Sequence, residues 1–511
     1  MPTSVVFSPE MESRVRFVED TPPAEIIERT LSMLRGGEAP EQLLAAAALA
    51  VSRSTEIPSN HHGGPVHPVS GAHAIMGVAQ LMPGESAVLP IVQSVALANK
   101  HVHAPNMGPA LMVDLEPQSA GGVAATEEAF ASAIHHRIPL TAERHLMWLL
   151  QNVSSGRVID LMLGAALRRN ALDDHYFLYP LFTARALDDL GWEYASVLLR
   201  PPVRYLARHP IMDAVPPFSA EYIARNVAIY DTFDVLERLI DDHRLLDGNL
   251  ALTANEDEGA AIGARADRIG ALDDYSEIPG MLAADMAGGL SLEGAGEALS
   301  VGAALLWLRS DSGNPFDVHH HTGVNVRRYI LGLRDVSLRN KLLALFTWAT
   351  GPEVRDQQRK MRWTARAPAD TIAGMPHRSQ AELLDAIVGA CLDLPSVDME
   401  AEGVRVNEIY VGEPVRQISA LAQQYSEFGY DPAAFFERIA QLVCRDDYSE
   451  MHAYKMLQAA REEYYATRED FRWVHLVSAA RHVGSVIGLE PKPVFRRACE
   501  LMGEPAVVLA S

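Results

Sequence analysis

Histidine is the residue type in this chain whose number and spacing could do chemistry. Nineteen histidines are present, and nine of them fall between His61 and His145. A short pattern of His, two residues, a hydroxyl residue and a small residue begins at His67, His319 and His475. Neutral imidazole is the most common metal-binding side chain and titrates near neutral pH. The repeated histidines could converge on one metal centre, or they could be helix-start histidines that pack beside small residues.

Two further spacings are compatible with a metal site built from several helices. Asp317 and His321 are four residues apart, so on a helix a carboxylate and an imidazole share one face. Such ligands suit iron, manganese or zinc, although Asp317 could instead cap the helix and orient a histidine. His475 and His482 also share a face, about 10 Å apart along the helix axis. This distance suits a two-metal centre, or a metal with a nearby substrate-facing base, unless the pair only lines a core seam.

His452 and Lys455 are the candidates for proton transfer. They are three residues apart, so they are neighbours on one helix face. A buried histidine beside a lysine could polarise a substrate or transfer a proton. The alternative is that they form an interior hydrogen-bonded pair.

Several standard catalytic motifs are absent from the sequence. No histidine has a glutamate three residues before it, which argues against a ferritin-like di-iron bundle. His-Glu-x-x-His, a P-loop, a strand-associated Gly-x-Gly-x-x-Gly and a Gly-x-Ser-x-Gly elbow are also missing. No two histidines are three or four residues apart, so several segments must hold any metal. A single-histidine haem site has no local pattern and stays open.

Composition and charge exclude some classes of partner. The chain has 511 residues, of which 48% are apolar and 22% are charged, as is typical of globular proteins. The net charge of -22 argues against a nucleic-acid or anionic-membrane partner. Three scattered cysteines suggest no disulfide framework or cysteine-rich metal site, and predict a cytoplasmic location. We find no secretory leader pattern and no apolar run of about 18 residues, so we expect no membrane span.

The apolar spacing is helical over most of the chain and predicts an all-α fold. We expect one large domain built from residues 23–246 and 298–511, after a short extended arm over 1–22. Residues 247–297 contain eleven acidic and only two basic residues, with many glycines, and we expect an irregular insertion or lid there. The best strand candidate is 404–411. The clearest predicted helices are 86–101, 142–170, 174–199, 219–245, 298–309, 323–334, 337–350, 378–393, 415–426, 431–444, 449–467, 469–487 and 493–502.

Short patches of the sequence resemble the questin oxidase-like family. The patches are a helix-start histidine within 61–82, a His-x-x-Thr within 317–331, and Glu450-x-His452-x-x-Lys455 followed by a second histidine-bearing helix within 449–482. The resemblance implies a mostly helical protein with non-haem iron chemistry. It implies oxidative cleavage of aromatic polyketide rings or, in one branch, metal-dependent hydrolysis of thioester-type substrates. Carried over by position, the resemblance implies that the ligands or site residues are His67, His321, His452 and His475.

Together these observations predict a histidine-rich, non-haem and dinuclear iron enzyme, with zinc or manganese as alternative metals. We expect an oxygenase that acts on a bulky apolar or aromatic small molecule and draws electrons from an external reductant or the substrate. The alternatives are a metal-dependent hydrolase, a helical binding protein without catalysis, and a haem protein. His452 and Lys455 are the predicted catalytic residues. The predicted metal ligands are His67, His73, His321, His475, His482 and Asp317.

Overall fold

The protein is almost entirely α-helical, which confirms the predicted all-α class. The computed structural model describes residues 3–57, 63–208, 233–403, 405–406 and 409–503. The described helices are α1 Pro9–Asp20, α2 Ile26–Arg35, α3 Pro40–Ser54, α4 Val66–Ser70, α5 Ala72–Ala79, α6 Leu89–Val102, α7 Val123–His135, α8 Pro139–Asn152, α9 Ser155–Arg169, α10 His175–Leu190, α11 Ala195–Leu198, α12 Arg200–Arg208, α13 Phe233–Asp242, α14 Gly259–Gly270, α15 Ile278–Ala287, α16 Leu292–Arg309, α17 His319–Gly332, α18 Leu338–Thr347, α19 Pro352–Asp356, α20 Ala369–Gly374, α21 Gln380–Leu392, α22 Glu413–Glu427, α23 Pro432–Val443, α24 His452–Ala466, α25 Trp473–Val486 and α26 Pro493–Met502.

Short elements connect the helices. The strands β1 Val397–Asp398 and β2 Leu489–Glu490 pair in parallel. The predicted strand at 404–411 lies partly outside the described residues, and its described part forms only an isolated bridge between Tyr410 and Ser312. None of the described helices is both long enough and apolar enough to span a bilayer. The short 3-10 helices are Gly84–Val88, Trp192–Tyr194, Glu256–Glu258, Tyr275–Glu277, Trp348–Thr350, Gln357–Lys360 and Glu469–Phe471.

The chain divides into two compact units whose segments alternate along the sequence. Unit 1 comprises Met1–His73, Ser94–Asn249 and Tyr329–Pro352. Unit 2 comprises Ala74–Gln93, Leu250–Arg328 and Glu353–Ser511. Each unit therefore combines segments from both 23–246 and 298–511.

The central helix of unit 1 is α3, which is buried from Leu43 to Ser54. Helix α1 packs along it, and Arg53 of α3 donates hydrogen bonds to Glu12 and Glu19 of α1. Helices α4 and α10 pack against α3 and against each other. This core therefore fixes the two helices that carry His67 and His175.

The central helix of unit 2 is α25, which is buried from Val474 to Val486. Helices α16, α22 and α24 pack around it. Glu463 of α24 is also buried, and it accepts hydrogen bonds from Ser300 of α16 and Asn325 of α17. These helices surround the segment that carries His475 and His482.

The prediction of an extended arm over residues 1–22 is wrong for most of its length, because α1 occupies Pro9–Asp20. Ser8 caps this helix by accepting a hydrogen bond from the backbone N of Met11, and Pro9 occupies its first turn. Met11, Val15 and Val18 have helical spacing and are buried. Only Ser4 retains an extended pairing, an isolated bridge with Val113.

The prediction of an irregular region over 247–297 is also wrong, because α14, α15 and the start of α16 occupy most of it. Ile262, Ala266 and Ile269 form the buried face of α14. A glycine in this region allows two helices to pack closely. A Cβ built on Gly270 would lie 2.6 Å from Cβ of Leu305 on α16.

Most other predicted helices are found, with local changes at their ends. The predicted helix 142–170 is divided into α8 and α9 at Val153, and the Ser154 side chain caps α9. The predicted helix 174–199 ends at Leu190, where Gly191 has a φ of 113°. Much of the predicted helix 219–245 lies outside the described residues.

Candidate functional site

Unit 1 holds two buried histidines close together, and a carboxylate orients one of them. His67 lies on α4, and His175 is the first residue of α10. Ligand nitrogens of the two rings lie within 4.8 Å of each other. Oδ1 of Asp173 accepts the backbone N–H of His175 at 2.7 Å and lies 2.8 Å from Nδ1 of its ring. Nε2 of His175 therefore points away from Asp173, as in the carboxylate-histidine pairs that orient metal ligands.

Neighbouring residues fix both rings. Gly63 has a φ of 98°, and a Cβ built on it would lie 2.8 Å from Cε1 of His67, so glycine lets the loop approach the ring. The Tyr205 hydroxyl donates to Oδ2 of Asp173 at 3.2 Å, so both carboxylate oxygens are held. A cavity of about 20 Å³, lined in part by Pro65 and Tyr205, has room for one water molecule.

His73, a predicted ligand in unit 1, uses both ring nitrogens in contacts with protein groups. Its Nδ1 lies 2.7 Å from Oδ2 of Asp189, and its Nε2 lies 2.7 Å from Nη2 of Arg185. A guanidinium can only donate, so Nε2 accepts and the proton lies on Nδ1, toward Asp189. In this arrangement His73 has no lone pair left for a metal.

Unit 2 contains a second histidine-carboxylate pair. His319, the first residue of α17, contacts the Glu353 carboxylate through Nδ1. The ring of His452 lies 6.1 Å from that of His319 and 5.2 Å from the Phe316 ring, by centroids. Nδ1 of His452 lies 2.6 Å from the carbonyl oxygen of Ser449. This contact directs Nε2 of the His452 ring away from the backbone of Ser449.

A left-handed turn places His452 at the start of α24. Glu450 and Met451 have φ values of 48° and 74°, which are uncommon for residues other than glycine. Such conformations cluster at functional sites, where surrounding contacts hold them in place. Lys455, one turn further on, is buried, and burial lowers the pKa of its ammonium to about 7 despite Glu450 and Glu353 nearby. At neutral pH a large fraction of Lys455 is uncharged, so this side chain can accept a proton.

Asp317, a predicted ligand in unit 2, is surrounded by hydrogen-bond donors. It is buried and accepts from Ser312 Oγ at 2.7 Å, from Asn314 Nδ2 at 3.2 Å and from the Gln357 amide. Lys360 Nζ lies 3.4 Å from the same carboxylate. Burial raises the carboxyl pKa of Asp317, and the positive charge of Lys360 opposes that shift. The carboxylate thus closes a structural network that precedes α17.

The other three predicted ligands, His321, His475 and His482, all lie buried in unit 2. The rings of His321 and His475 are 5.8 Å apart by centroids. Burial lowers the pKa of all three rings, to about 4 for His475 and about 3 for His482. They are therefore neutral at pH 7. No three described His, Cys, Asp or Glu side chains within unit 2 place ligand atoms within 4.8 Å of one another.

The sequence prediction leaves out Asp173, His175 and Glu353 as site residues, although the structure places them beside other histidines. A local signal exists for the first two, because an aspartate two residues before a helix-start histidine can bond both its backbone N–H and its ring. No comparable signal identifies Glu353, whose contact with His319 crosses a long stretch of sequence.

A comparison with protein-family models found no matching family, and comparisons with curated proteins and with solved structures found no match. The resemblance to the questin oxidase-like family therefore stays a prediction. Each unit does contain a histidine-carboxylate pair of a kind that can serve a metal: Asp173 with His175 in unit 1, and Glu353 with His319 in unit 2.

Proposed function

We propose that the protein is a metal-dependent enzyme and that His67 and His175 of unit 1 bind its metal. The observation that carries this proposal is the carboxylate of Asp173, which contacts Nδ1 of His175 while the ligand nitrogens of the two histidines lie within 4.8 Å. Metal-ligating histidines almost always have such a partner on the other ring nitrogen. Two protein ligands leave coordination positions for water or substrate.

We further propose that the metal is non-haem iron and that the reaction is oxygenation of a bulky apolar or aromatic small molecule. Imidazole ligands suit iron, and non-haem iron when bound supplies dioxygen chemistry. This choice of reaction rests on the resemblance to the questin oxidase-like family. An external reductant or the substrate itself provides the electrons.

Residues of the chain supply the other parts of the proposed chemistry. Asp173 holds the ring of His175 in one orientation. Lys455, whose buried amine has a pKa of about 7, is the candidate proton acceptor in unit 2. His319 with Glu353 is the place in unit 2 to look for a second ion, and His321, His475 and His482 stay candidates there.

The first experiment is elemental analysis and a visible spectrum of untagged, aerobically purified protein. We expect about two irons per chain and no Soret band. His67→Gln and His175→Gln should lose iron, and Asp173→Asn should weaken iron binding about 10- to 100-fold. His145→Gln is the matched control, because His145 is also a buried histidine of unit 1 but bonds the Gln118 carbonyl. Elemental analysis of His319→Gln tests whether His319 binds a second ion in unit 2.

Each outcome of this experiment decides between the alternatives. Stoichiometric zinc or manganese would favour a metal-dependent hydrolase over the oxygenase. A Soret band would indicate a haem protein. Absence of stoichiometric metal, even after anaerobic reconstitution with iron, would overturn the proposal of a metal-dependent enzyme and favour a binding protein without catalysis. Equal metal loss in His145→Gln and His175→Gln would show that His175 acts only on folding.

A further inference from the structure

A buried arginine in unit 2 has hydrogen-bond donors that the protein does not use. Arg481 of α25 is 0% exposed. Its Nη2 donates to the carbonyl oxygens of Ser310 at 2.6 Å and Ser312 at 2.9 Å. Its Nε and Nη1 have no hydrogen-bond partner among the described residues. Buried polar groups in native proteins nearly always have a partner, so these donors require an explanation.

Other unsatisfied polar atoms lie around the same arginine. The guanidinium carbon of Arg481 is 3.8 Å from the centre of the Trp307 ring, and the ring of His482 lies 6.2 Å from that of Trp307. Nε1 of Trp307, both ring nitrogens of His482 and both of His321 have no partner among the described residues and are buried. His321 is also within electrostatic range of Arg481 and His482. The group is rich in N–H donors and carries one fixed positive charge.

Asp317 and Asp311 are within electrostatic range of Arg481, but neither accepts a hydrogen bond from its Nε or Nη1. Asp317, which is within electrostatic range of Arg481, already accepts from Ser312 and lies 3.4 Å from Lys360. A charged guanidinium in such a site is stabilised when an anion joins it.

An open cavity of about 390 Å³ is lined in part by residues of α25 and α16, the helices that carry Arg481 and Trp307. Trp363 lines it, and its ring lies 5.8 Å from the guanidinium carbon of Arg481. Val477 also lines the cavity and precedes Arg481 by one turn of α25, while Leu308 lines it next to Trp307 on α16. The volume is in the range of small-molecule sites.

We propose that unit 2 has an internal oxyanion-binding site in which Arg481 is the principal contact, with Trp307, His482 and His321 as neighbouring donors. The ligand is a carboxylate of a small organic acid or a free phosphate, and it enters from the cavity lined by Trp363. This site shares no residue with the metal pair of His67 and His175 proposed for unit 1, so either of these two can fail without the other. A metal ion bound by His321 or His482 would overturn the oxyanion site.

The test measures the melting temperature of the full chain with inorganic phosphate or with benzoate, each against sodium chloride of equal ionic strength. We expect a saturable rise of about 2–5 °C with at least one of the two anions. Arg481→Met should abolish the rise, because methionine fills part of the volume without a donor. Its melting temperature without anion should be unchanged or higher, since removing an unpaired buried charge relieves its desolvation.

Arg416→Gln is the control, because Arg416 lines the same cavity and lies over the same Trp363 ring but is paired with Glu413 at its surface. This variant should keep the anion-dependent rise. A response to phosphate alone identifies free phosphate as the ligand, and a response to benzoate alone identifies an organic acid. A rise that persists in Arg481→Met, or no saturable rise with either anion, overturns the proposal. If Arg481→Met does not fold, Arg481→Gln replaces it, because glutamine removes the positive charge, and an unchanged response in that variant overturns the proposal equally.

Discussion

At the scale of single residues, partners decide what each histidine can do. His73 is engaged on both nitrogens by Arg185 and Asp189, while Nδ1 of His175 contacts a carboxylate, that of Asp173. His475 and His482 are kept neutral by burial, which leaves each with one lone pair and one N–H. Side chains of the same type therefore serve different purposes within one protein.

The close approach of the Gly63 loop to His67 leads to a first prediction. Gly63→Ala should displace the His67 ring, because the new Cβ would lie 2.8 Å from Cε1, and it should strain a backbone with a φ of 98°. We expect a loss of stability of about 2 kcal/mol and a reduced metal content. Denaturant unfolding and elemental analysis measure the two effects.

Gly84→Ala separates the strain from the contact. Gly84 also has a positive φ, of 55°, but a Cβ there meets nothing within 4 Å. This control should lose about 1 kcal/mol and keep its metal. If both variants lose equal stability and neither loses metal, the contact between Gly63 and His67 does not position the ring.

At the scale of helices, glycine sets how closely α14 and α16 approach. A Cβ built on Gly302 of α16 would lie 2.6 Å from both Cβ and Cγ2 of Ile269 on α14. Gly270 of α14 makes the corresponding approach to Leu305 of α16. The same glycines that make the sequence look irregular thus allow two helices to pack tightly.

This packing predicts opposite effects for alanine at two helical glycines. Gly302→Ala should destabilise the protein by about 1–3 kcal/mol, because the branched side chain of Ile269 and the backbone near it cannot give way cheaply. Gly280→Ala on α15 meets nothing within 4 Å and should stabilise it by about 0.5–1 kcal/mol through helix propensity. Urea unfolding of both variants checks the pair. A stabilised Gly302→Ala protein would contradict the close approach.

At the scale of the whole molecule, a half-buried carboxylate joins segments that are far apart in sequence. Asp447 accepts the backbone N–H groups of Val494 at 2.8 Å and Phe495 at 2.9 Å at the start of α26. Its other oxygen accepts from Gln93 Nε2 at 2.7 Å. Burial nevertheless raises the pKa of this carboxyl from 3.8 to about 6, although these hydrogen bonds lower it.

The raised pKa of Asp447 makes the stability of the fold depend on pH. Between about pH 4 and pH 6 the folded state keeps a proton that the unfolded state has lost, so the free energy of unfolding falls as pH rises. This group should cost up to about 3 kcal/mol above pH 6 and nothing below pH 4. Asp447→Asn should remove this dependence on pH. The free energy of unfolding of the variant, minus that of the natural protein, should therefore increase between about pH 4 and pH 6.

Denaturant unfolding at intervals from pH 4 to pH 7 measures this difference. Lost hydrogen bonds shift the Asn variant by a constant amount, so the slope against pH is the informative quantity. Asp242→Asn is the control, because Asp242 is exposed and its substitution should leave the slope unchanged. Parallel pH profiles for Asp447→Asn and the natural protein would refute the assignment.

The sequence alone determined the all-α class and most helix positions. Helical periodicity, serine caps and proline at the first turn are local interactions over about four residues, so they can be read directly. Helical periodicity was also present in Pro9–Asp20 and in α14. The strand-like residues Val15 to Val18 outweighed it in the first segment, and acidic, glycine-rich composition outweighed it in the second. The burial of His475 and His482 accords with their small, apolar neighbours on α25.

The tertiary structure alone decided which side chains meet. His67 and His175 lie in different helices that are brought together by packing on α3, and Glu353 reaches His319 from another segment. It also decided that Arg481 is buried with unused donors beside Trp307. Such contacts depend on how closely helices approach and on which faces they bury, and these non-local interactions leave no fixed spacing in the sequence.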